Sequence, residues 1–201
     1  MLRHSRMLAL GSPAPDFSLP DPAGRRYSLA DFRTGRGFVV AFLCNHCPFV
    51  QHIAESFGKF AKDYASRGIL TIAIASNDIV AHPDDDPPHM AAFARRHAWE
   101  FPYLYDEAQR VALAYEAVCT PDLFLFDAAG RLYYRGQFDG SRPYTEWDVK
   151  LGHPRNTTPR DGAELRAACD ALLTGAPPPV TQTPGTGCSI KWKPENEPDW
   201  A

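Results

Sequence analysis

The sequence predicts an α/β fold with a central mixed β-sheet that is covered by helices on both faces. Two unbroken apolar runs, residues 38–43 and 69–75, are typical of strands buried on both sides, and a helical pattern follows each of them. A close turn then separates the apolar segments 122–127 and 132–138, which predicts an antiparallel pair. Strands that alternate with helices and end in a hairpin imply this mixed, two-faced architecture.

The other elements follow in chain order. A turn at residues 21–24 (Asp-Pro-Ala-Gly) separates two short extended segments, which predicts an N-terminal β-hairpin extension. Helical spacing predicts helices over residues 47–66, 90–97, 107–115 and 161–174. Residues 84–88 (Asp-Asp-Asp-Pro-Pro) predict a surface loop, and the polar residues 139–160 a long one.

The last part of the chain differs in composition from the rest. Residues 176–201 are rich in proline and predict an irregular, extended tail. Ile190, Trp192 and Trp200 nevertheless indicate that this tail packs on the domain. We therefore expect one domain over residues 10–175, followed by an attached tail.

Composition excludes some classes of partner. The 201 residues carry a formal charge of −3, so there is no electrostatic reason to expect nucleic acid or an anionic membrane. No stretch approaches the roughly 18 apolar residues that span a bilayer. The apolar segment near the N-terminus is too short for a signal peptide, which predicts a cytoplasmic protein. Whether Met1 or Met7 is the natural start is left open.

The most informative motif is a pair of cysteines, Cys44 and Cys47, which follows the apolar run 38–43 and directly precedes Pro48. Proline is tolerated in the first turn of a helix, so the pair stands where a buried strand gives way to a helix. A helix N-terminus favours a thiolate over a thiol, and the thiolate is the nucleophile of disulfide exchange. Zinc sites use the same spacing but need further ligands, so this context predicts a redox pair.

The chain has five cysteines, an odd number that does not indicate a secreted disulfide framework. Cys169 lies on the face of a predicted helix and is expected to be a buried structural thiol. Cys119 and Cys188 are candidate auxiliary thiols. Cys119 could be a redox thiol, a metal ligand or a small buried hydrophobe, and Cys188 could lie beside the site or anchor the tail.

Three features together resemble a known superfamily. They are the N-terminal segment 11–17 (Gly-Ser-Pro-Ala-Pro-Asp-Phe), the strand–CxxC–helix unit, and Thr120-Pro121 leading into the apolar run 123–126. The chain resembles the thioredoxin superfamily, in the branch of peroxiredoxins, alkyl hydroperoxide reductases (AhpC/TSA) and TlpA-type oxidoreductases. The resemblance covers about residues 10–175. It implies a thioredoxin-like fold in which Pro121 is a cis-proline that faces the CxxC motif.

Roles follow for the residues of the motif. Cys44 precedes the helix and is the expected nucleophile, and Cys47 is the expected resolving thiol. An imidazolium at His46 would lower the pKa of Cys44. The resemblance implies that Thr120 presents its backbone to the substrate, and Asn45 is a further candidate contact. The strand 38–43 lacks the buried aspartate of thioredoxins, so proton transfer at Cys47 requires another route.

We therefore expect a thiol–disulfide oxidoreductase with an antioxidant or redox role. It would act on a protein or small-molecule disulfide, take electrons from an upstream thiol reductant and need no cofactor. A thiol-dependent peroxidase is the first alternative, although Cys44 stands where the peroxide-binding motif has Thr or Ser, and the motif's proline is absent. A binding protein is the second, with Cys44, Cys47 and Cys119 holding zinc or copper(I).

Overall fold

The buried apolar runs of the sequence form the middle of a five-stranded sheet. The structure is a computed structural model that describes residues 1–200, with the backbone alone at residue 147. The strands are β1 (Leu2–His4), β2 (Ser18–Pro20), β3 (Arg26–Ser28), β4 (Gly37–Phe42), β5 (Ile69–Ala75), β6 (Tyr103–Tyr105), β7 (Cys119–Thr120), β8 (Asp122–Asp127), β9 (Leu132–Gly136) and β10 (Thr186–Ser189). The helices are α1 (Pro48–Ala65), α2 (Pro87–Arg96), α3 (Arg110–Ala114), α4 (Glu146–Leu151) and α5 (Ala163–Leu173).

The central sheet is mixed, as the sequence predicts. Its strand order is β6-β5-β4-β8-β9, with β4 at the centre. β4 pairs in parallel with β5 and antiparallel with β8, so Val40 lies between Ile72 and Phe124. The hairpin of β8 and β9 completes the sheet on one side. The loop that leaves β4 therefore starts from the middle of the fold.

Alternate residues of β4 face opposite layers of the core. Val39 and Ala41 belong to one buried cluster, to which α1, α2 and α5 contribute. Phe38, Val40 and Phe42 belong to the other, which includes residues of α3 and of the N-terminal segment. All six residues of the strand are buried, which explains why its sequence is a continuous apolar run. Helices on both faces of the sheet are thus confirmed.

The predicted N-terminal hairpin is present as β2 and β3, which pair antiparallel from Ser18 opposite Ser28. A 3-10 turn over Leu29–Phe32 follows it. Leu29 and Phe32 are each 5% exposed and pack into the second core cluster. On this face of the sheet the helix α3 is short, and the hairpin segment covers part of the area that α3 leaves open.

The expectation of an irregular tail is wrong for residues 186–189. They form β10, which lies between β1 and β7 in a separate three-stranded sheet. After this strand, Ile190 donates its N–H to the carbonyl of Val118 (3.0 Å) and is 3% exposed. Partners from the N-terminus and from the middle of the chain specify β10, and a local reading of proline and glycine content does not detect such partners.

The expected surface loop at residues 84–88 is also wrong in part. Pro83–Asp85 form a 3-10 turn, and α2 already begins at Pro87 with Asp86 as its N-cap. Asp85 is only 1% exposed.

In the long polar segment 139–160, a capping box at Thr145 and Asp148 starts the unpredicted helix α4. Among the described residues, no helix is both long and apolar enough to cross a bilayer.

Candidate active site

The cysteine pair lies where the central strand gives way to helix α1. β4 ends at Phe42, and the N–H of Leu43 still bonds to the carbonyl of Ile74 (2.9 Å), which extends the sheet to the first cysteine. Cys47 is the N-cap residue of α1 and Pro48 is its first residue. The carbonyl of Cys47 accepts the first helical hydrogen bond, from Gln51 (2.9 Å). The strand–CxxC–helix unit that the sequence predicts is therefore present.

A second segment closes over the pair. The Thr120–Pro121 peptide bond is cis, as the resemblance implies. The Thr120 hydroxyl oxygen lies 3.2 Å from Cys44 Sγ, and its carbonyl oxygen lies 3.1 Å from Cys47 Sγ. Cys44 is 1% exposed and Cys47 is fully buried. One residue from a distant strand thus contacts both sulfur atoms in a site that excludes water.

The loop between the two cysteines is held by Asp85. Its Oδ1 accepts the backbone N–H groups of Asn45 (2.8 Å) and His46 (3.3 Å). Its Oδ2 contacts His46 Nδ1 (2.6 Å) and accepts from Asn77 Nδ2 (2.8 Å). A buried carboxylate needs such donors to stay ionised. Asp85 is therefore both the anchor of the loop and its nearest negative charge.

His46 and Asp85 form an ion pair whose pKa shifts agree in direction. The hydrogen bond to Asp85 is the main cause that raises the pKa of His46. Burial opposes ionisation of Asp85, but the hydrogen bonds from His46 and Asn77 outweigh it and lower the pKa of the carboxyl. The imidazole also stacks on His82, with ring centroids 5.2 Å apart. The contact with Asp85 thus favours the imidazolium form of His46 beside the pair.

The surroundings of Cys44 oppose the thiolate form that the sequence predicts for it. Its interaction with Cys47 raises the pKa of Cys44 well above the ordinary value, and burial and the negative charge of Asp85 add to the effect. The residue at the helix N-terminus is Cys47, three positions further on. The carboxylate that holds His46 therefore opposes the tuning of Cys44 that the sequence predicts for this histidine.

The surroundings of Cys47 favour its thiolate form. Burial and the nearby Thr120 carbonyl disfavour ionisation, but donors from Cys188, Cys44, the Val50 N–H and the Thr120 hydroxyl outweigh them and lower the pKa of Cys47. The Val50 N–H belongs to the first turn of α1, where unpaired backbone donors favour an anion. In the reduced site, the surroundings thus favour a thiolate at Cys47 over one at Cys44.

Two residues that the sequence predicts as substrate contacts already make hydrogen bonds or strand contacts within the protein. The Asn45 side chain is buried, donates to the carbonyl of Asp84 (2.9 Å) and accepts from the hydroxyl of Tyr103 (3.1 Å). Thr120 is paired with Cys188 of β10, so its strand edge already has a partner. Asn45 therefore positions the loop, and β10 lies where an extended substrate would be expected to pair.

The three remaining cysteines differ in position. Cys169 is fully buried beside Leu165 and Ala168, as a structural thiol should be. Cys119 is also fully buried, and its sulfur contacts the carbonyl oxygen of Pro121 (3.6 Å) and the hydroxyl oxygen of Ser5 (4.0 Å). Burial raises the pKa of Cys119 well above the ordinary value. Cys188 is the partly exposed one, and it interacts with Cys47.

The thiolate metal site expected from Cys44, Cys47 and Cys119 is not the cluster that the fold assembles. Within the described residues, the potential ligand atoms that approach one another within 4.8 Å come from Cys44, His46 and Asp85. Both oxygens of Asp85 already accept hydrogen bonds from the loop and from Asn77. A metal ion would have to break these bonds, so the donor set fits a hydrogen-bonded charge network better than a metal centre.

Two buried carboxylates escaped the sequence analysis. Asp85 stands in a run of three aspartates, and nothing in that run separates it from its exposed neighbours. Asp122 directly follows the cis-proline and is fully buried, and burial raises its pKa to about 7. The N-cap signal of Asp86 before Pro87 would have located the start of α2. The inward side chain of Asp85 is visible only in the folded chain.

A mixed sheet with a CxxC motif at the start of a helix, facing a cis-proline, defines a thioredoxin-like redox protein. The chain belongs to the AhpC/TSA family, whose model matches residues 10–135. It is similar to the thiol-disulfide oxidoreductase ResA of Geobacillus thermodenitrificans, with 28% identity over 125 residues, or 62% of this chain and 67% of that one. It is also similar to a provisionally named peroxiredoxin of Mycobacterium tuberculosis, with 30% identity over 149 residues, or 73% and 90% of the two chains.

Solved structures extend the likeness over almost the whole chain. A hypothetical protein of Sinorhizobium meliloti is 44% identical with a TM-score of 0.88, over 95% of this chain and 98% of that one. An uncharacterized conserved protein of Geobacillus kaustophilus has the same identity and TM-score, over 96% and 97%. A thiol:disulfide interchange protein of Chlorobium tepidum, 20% identical with a TM-score of 0.59 over 82% and 98%, shares the fold. This protein is thus a thiol-based oxidoreductase of the AhpC/TSA family.

Proposed function

We propose that the protein is a thiol–disulfide oxidoreductase that uses Cys44 and Cys47 as its redox pair. The observation that carries the proposal is the placement of the two thiols: Cys47 is the N-cap residue of α1, and Thr120 lies within hydrogen-bond distance of both sulfur atoms. The helix N-terminus favours the thiolate form of Cys47, whereas the charge of Asp85 disfavours a thiolate at Cys44. A thiolate next to a thiol is the arrangement that attacks a disulfide and then resolves the product.

The reaction balances with the residues of the site. The Cys47 thiolate attacks one sulfur of the substrate disulfide, forms a mixed disulfide and releases the other substrate sulfur as a thiolate, which takes up a proton. Cys44 loses its proton and attacks Cys47 Sγ, which releases the second substrate thiol. The substrate gains two electrons, and the protein is left with a Cys44–Cys47 disulfide. An upstream thiol reductant of the same cell compartment, which we propose is the cytoplasm, would restore the dithiol.

The test is turnover of a protein disulfide, such as insulin, with dithiothreitol as reductant. We expect Cys44→Ser and Cys47→Ser to abolish turnover, and the control Cys169→Ser, which removes a thiol away from the site, to retain it. Thiolate absorbance at 240 nm at neutral pH should persist in Cys44→Ser and disappear in Cys47→Ser. Thiolate absorbance that survives only in Cys47→Ser would return the nucleophilic role to Cys44.

One contact favours peroxidase activity as a second candidate. The CxxC segment lacks the Thr or Ser of the peroxide-binding motif, but the Thr120 hydroxyl lies 3.2 Å from Cys44 Sγ and also interacts with Cys47. A hydroxyl at this place could orient a peroxide against the thiolate. The Cys47 thiolate would displace one oxygen as water to give a sulfenic acid, and Cys44 would then form the disulfide and release a second water.

Stopped-flow oxidation by hydrogen peroxide separates the two activities. For a peroxidase, Thr120→Val should slow oxidation, whereas Thr120→Ser, which keeps the hydroxyl, should not. For the disulfide oxidoreductase that we favour, peroxide oxidises the native protein slowly and neither variant changes that rate. Fast peroxide oxidation that depends on the Thr120 hydroxyl would make peroxide reduction the principal function.

A further inference from the structure

The C-terminal strand brings a third thiol to the redox pair. In the register of β10 and β7, Cys188 is opposite Thr120, the residue that contacts both sulfur atoms of the pair. Cys188 packs against the buried cluster that contains Cys44 and Cys47. Its thiol faces Cys47 closely enough to interact with that sulfur. Cys47 is therefore flanked by two thiols.

The fit of β10 shows that this position is specific. A Cβ atom on Gly187 would lie 2.0 Å from the Thr120 carbonyl oxygen, so only glycine allows the approach. Backbone bonds hold the strand on both sides, from Ser189 N–H to the Met1 carbonyl (2.8 Å) and from Ile190 N–H to the Val118 carbonyl (3.0 Å). The sequence before and after Cys188 is thus shaped to keep its thiol at the site.

The three thiols are not equally accessible. Cys44 is 1% exposed and Cys47 is fully buried. Direct attack by Cys47 on a protein disulfide, as proposed above, therefore requires β10 to move aside, and while β10 is in place another sulfur has to receive the substrate. Cys188 is partly exposed. Its thiol is thus in contact with solvent and with the buried Cys47. A disulfide at Cys188 can therefore be exchanged with a substrate at the surface and with Cys47.

We propose that Cys188 is a relay thiol, which transfers the disulfide between a substrate at the protein surface and the buried Cys44–Cys47 pair through a transient Cys47–Cys188 disulfide. This rests on the proposed thiol–disulfide exchange and adds the route by which the buried pair reacts. It also explains why the strand that covers the site carries a cysteine directly over it.

Each step is a thiol–disulfide exchange that conserves electrons. The Cys188 thiol gives its proton to the Cys47 thiolate, attacks the substrate disulfide and releases one substrate sulfur as a thiolate, which takes up a proton from solvent. Cys47 gives up that proton to solvent and attacks Cys188 Sγ, which releases the second substrate sulfur as a thiolate that is then protonated. Cys44 loses its proton and attacks Cys47 Sγ, so that Cys44–Cys47 forms and Cys188 is restored as a thiol. The net result is one substrate disulfide reduced and one disulfide formed in the protein.

Disulfide mapping traps the intermediate. In Cys44→Ser the last step is blocked, so oxidation with oxidised glutathione should leave a Cys47–Cys188 disulfide, found by mass spectrometry of the peptides. The native protein treated in the same way should contain Cys44–Cys47. A Cys44→Ser protein that carries glutathione on Cys47 while Cys188 remains a free thiol would overturn the relay.

Kinetics distinguish the relay from a structural role of the thiol. Cys188→Ser keeps a hydroxyl that can donate to Cys47 but cannot form a disulfide, and we expect it to slow oxidation of the pair by a protein disulfide by about tenfold or more. The equilibrium potential of Cys44–Cys47 should stay close to that of the native protein. Ser189→Ala, on the same strand, is the control and should keep the native rate.

The outcomes separate this inference from the proposed function. A native rate in Cys188→Ser, with a Cys44–Cys47 disulfide still formed, would refute the relay and leave the oxidoreductase intact. Absence of the Cys44–Cys47 disulfide and of turnover in the native protein would refute the proposed function itself. If Cys188→Ser and Cys188→Ala slow the reaction only by changing the thiolate titration of Cys47, the thiol is a positioning residue and the relay is wrong.

Discussion

At the scale of single residues, one carboxylate determines how charge is distributed around the redox pair. Asp85 receives the backbone donors of the CxxC loop and pairs with His46. Its charge raises the pKa of Cys44, whereas the donors at the start of α1 lower that of Cys47. The two thiols therefore differ because a helix N-terminus lies at one and a buried carboxylate at the other.

Replacing that carboxylate should change two titrations at once. In Asp85→Asn we expect the pKa of His46 to fall, because its charged partner is lost, and the pKa of Cys44 to fall, because a negative charge is removed. NMR of the imidazole and absorbance at 240 nm measure the two. Asp85 is 1% exposed, and the loss of its hydrogen bonds to charged groups should cost about 1–3 kcal/mol of folding stability.

The neighbouring residue supplies a matched control for this experiment. Asp86 pairs with the exposed His89 and caps α2, and asparagine is also a good N-cap, so Asp86→Asn should leave the titrations of His46 and Cys44 as in the native protein. If Asp85→Asn leaves both titrations unchanged, the carboxylate does not tune the site.

A second buried carboxyl, Asp122, should make stability depend on pH. Burial raises its folded pKa to about 7 from an ordinary 3.8, so folding takes up a proton between these values and stability falls as the pH rises from 4 to 7. Asp122→Asn has no carboxyl group to titrate at this position. It should therefore eliminate up to about 4 kcal/mol of the decrease in the free energy of unfolding between pH 4 and pH 7, measured by urea unfolding at several pH values. Asp127→Asn, at the other end of β8, is the control and should keep the native pH dependence.

At the scale of elements, the sequence predicts those that local pattern specifies. β4, β5 and β8 are continuous apolar runs, and the cysteine pair with its following proline marks the start of α1 within one residue. The strand β10 has no such pattern, because its four residues include a glycine and only one apolar side chain. It is a strand because β1 and β7 lie on either side of it, and these partners are more than 65 residues away along the chain.

The glycine in β10 provides a test of how closely that strand must fit. Gly187→Ala places a Cβ atom 2.0 Å from a backbone oxygen, so the strand has to move away from Thr120. We expect a loss of about 1–3 kcal/mol, typical of overpacking. Faster hydrogen exchange of the β10 amides and faster reaction of Cys47 with a thiol reagent should accompany it.

A glycine with room around it controls for the loss of backbone freedom. At Gly140 the nearest atom to an added Cβ is 3.5 Å away, which is an ordinary contact. Gly140→Ala should therefore leave the exchange of the β10 amides and the reactivity of Cys47 as they are in the native chain. Equal behaviour of the two variants would show that β10 does not need its close approach to Thr120.

At the scale of the whole molecule, three distant segments complete the site that the motif begins. The sequence predicts the CxxC loop and the Thr120–Pro121 segment, but it does not predict Asp85. For Cys188, a position beside the site is one of the two alternatives that the sequence leaves open. The difference is physical, because a nucleophile at a helix start depends on neighbours in sequence. The charge on each sulfur depends instead on which buried groups the tertiary fold brings within hydrogen-bond distance.

The binding of protons, which makes stability depend on pH at Asp122, should also couple the redox state of the site to the stability of the whole chain. The fold lowers the pKa of Cys47 in the reduced protein, whereas the unfolded chain keeps that thiol protonated up to its ordinary pKa of 9.0. The unfolded state therefore binds more protons, and the stability of the reduced form rises with pH below 9. The oxidised form has no such thiol to titrate, and Asp122 contributes equally to both forms.

The difference in unfolding free energy, reduced minus oxidised, should accordingly grow between pH 6 and pH 8, by at most about 1.4 kcal/mol per pH unit. Urea unfolding with and without a phosphine reductant measures it. Reduced Cys47→Ser lacks the thiolate and should lose this additional pH dependence while keeping that of the remaining groups. A difference that stays constant with pH in the native protein would mean that Cys47 is a thiol in the folded state, and the attack on a disulfide would then have to start from another sulfur.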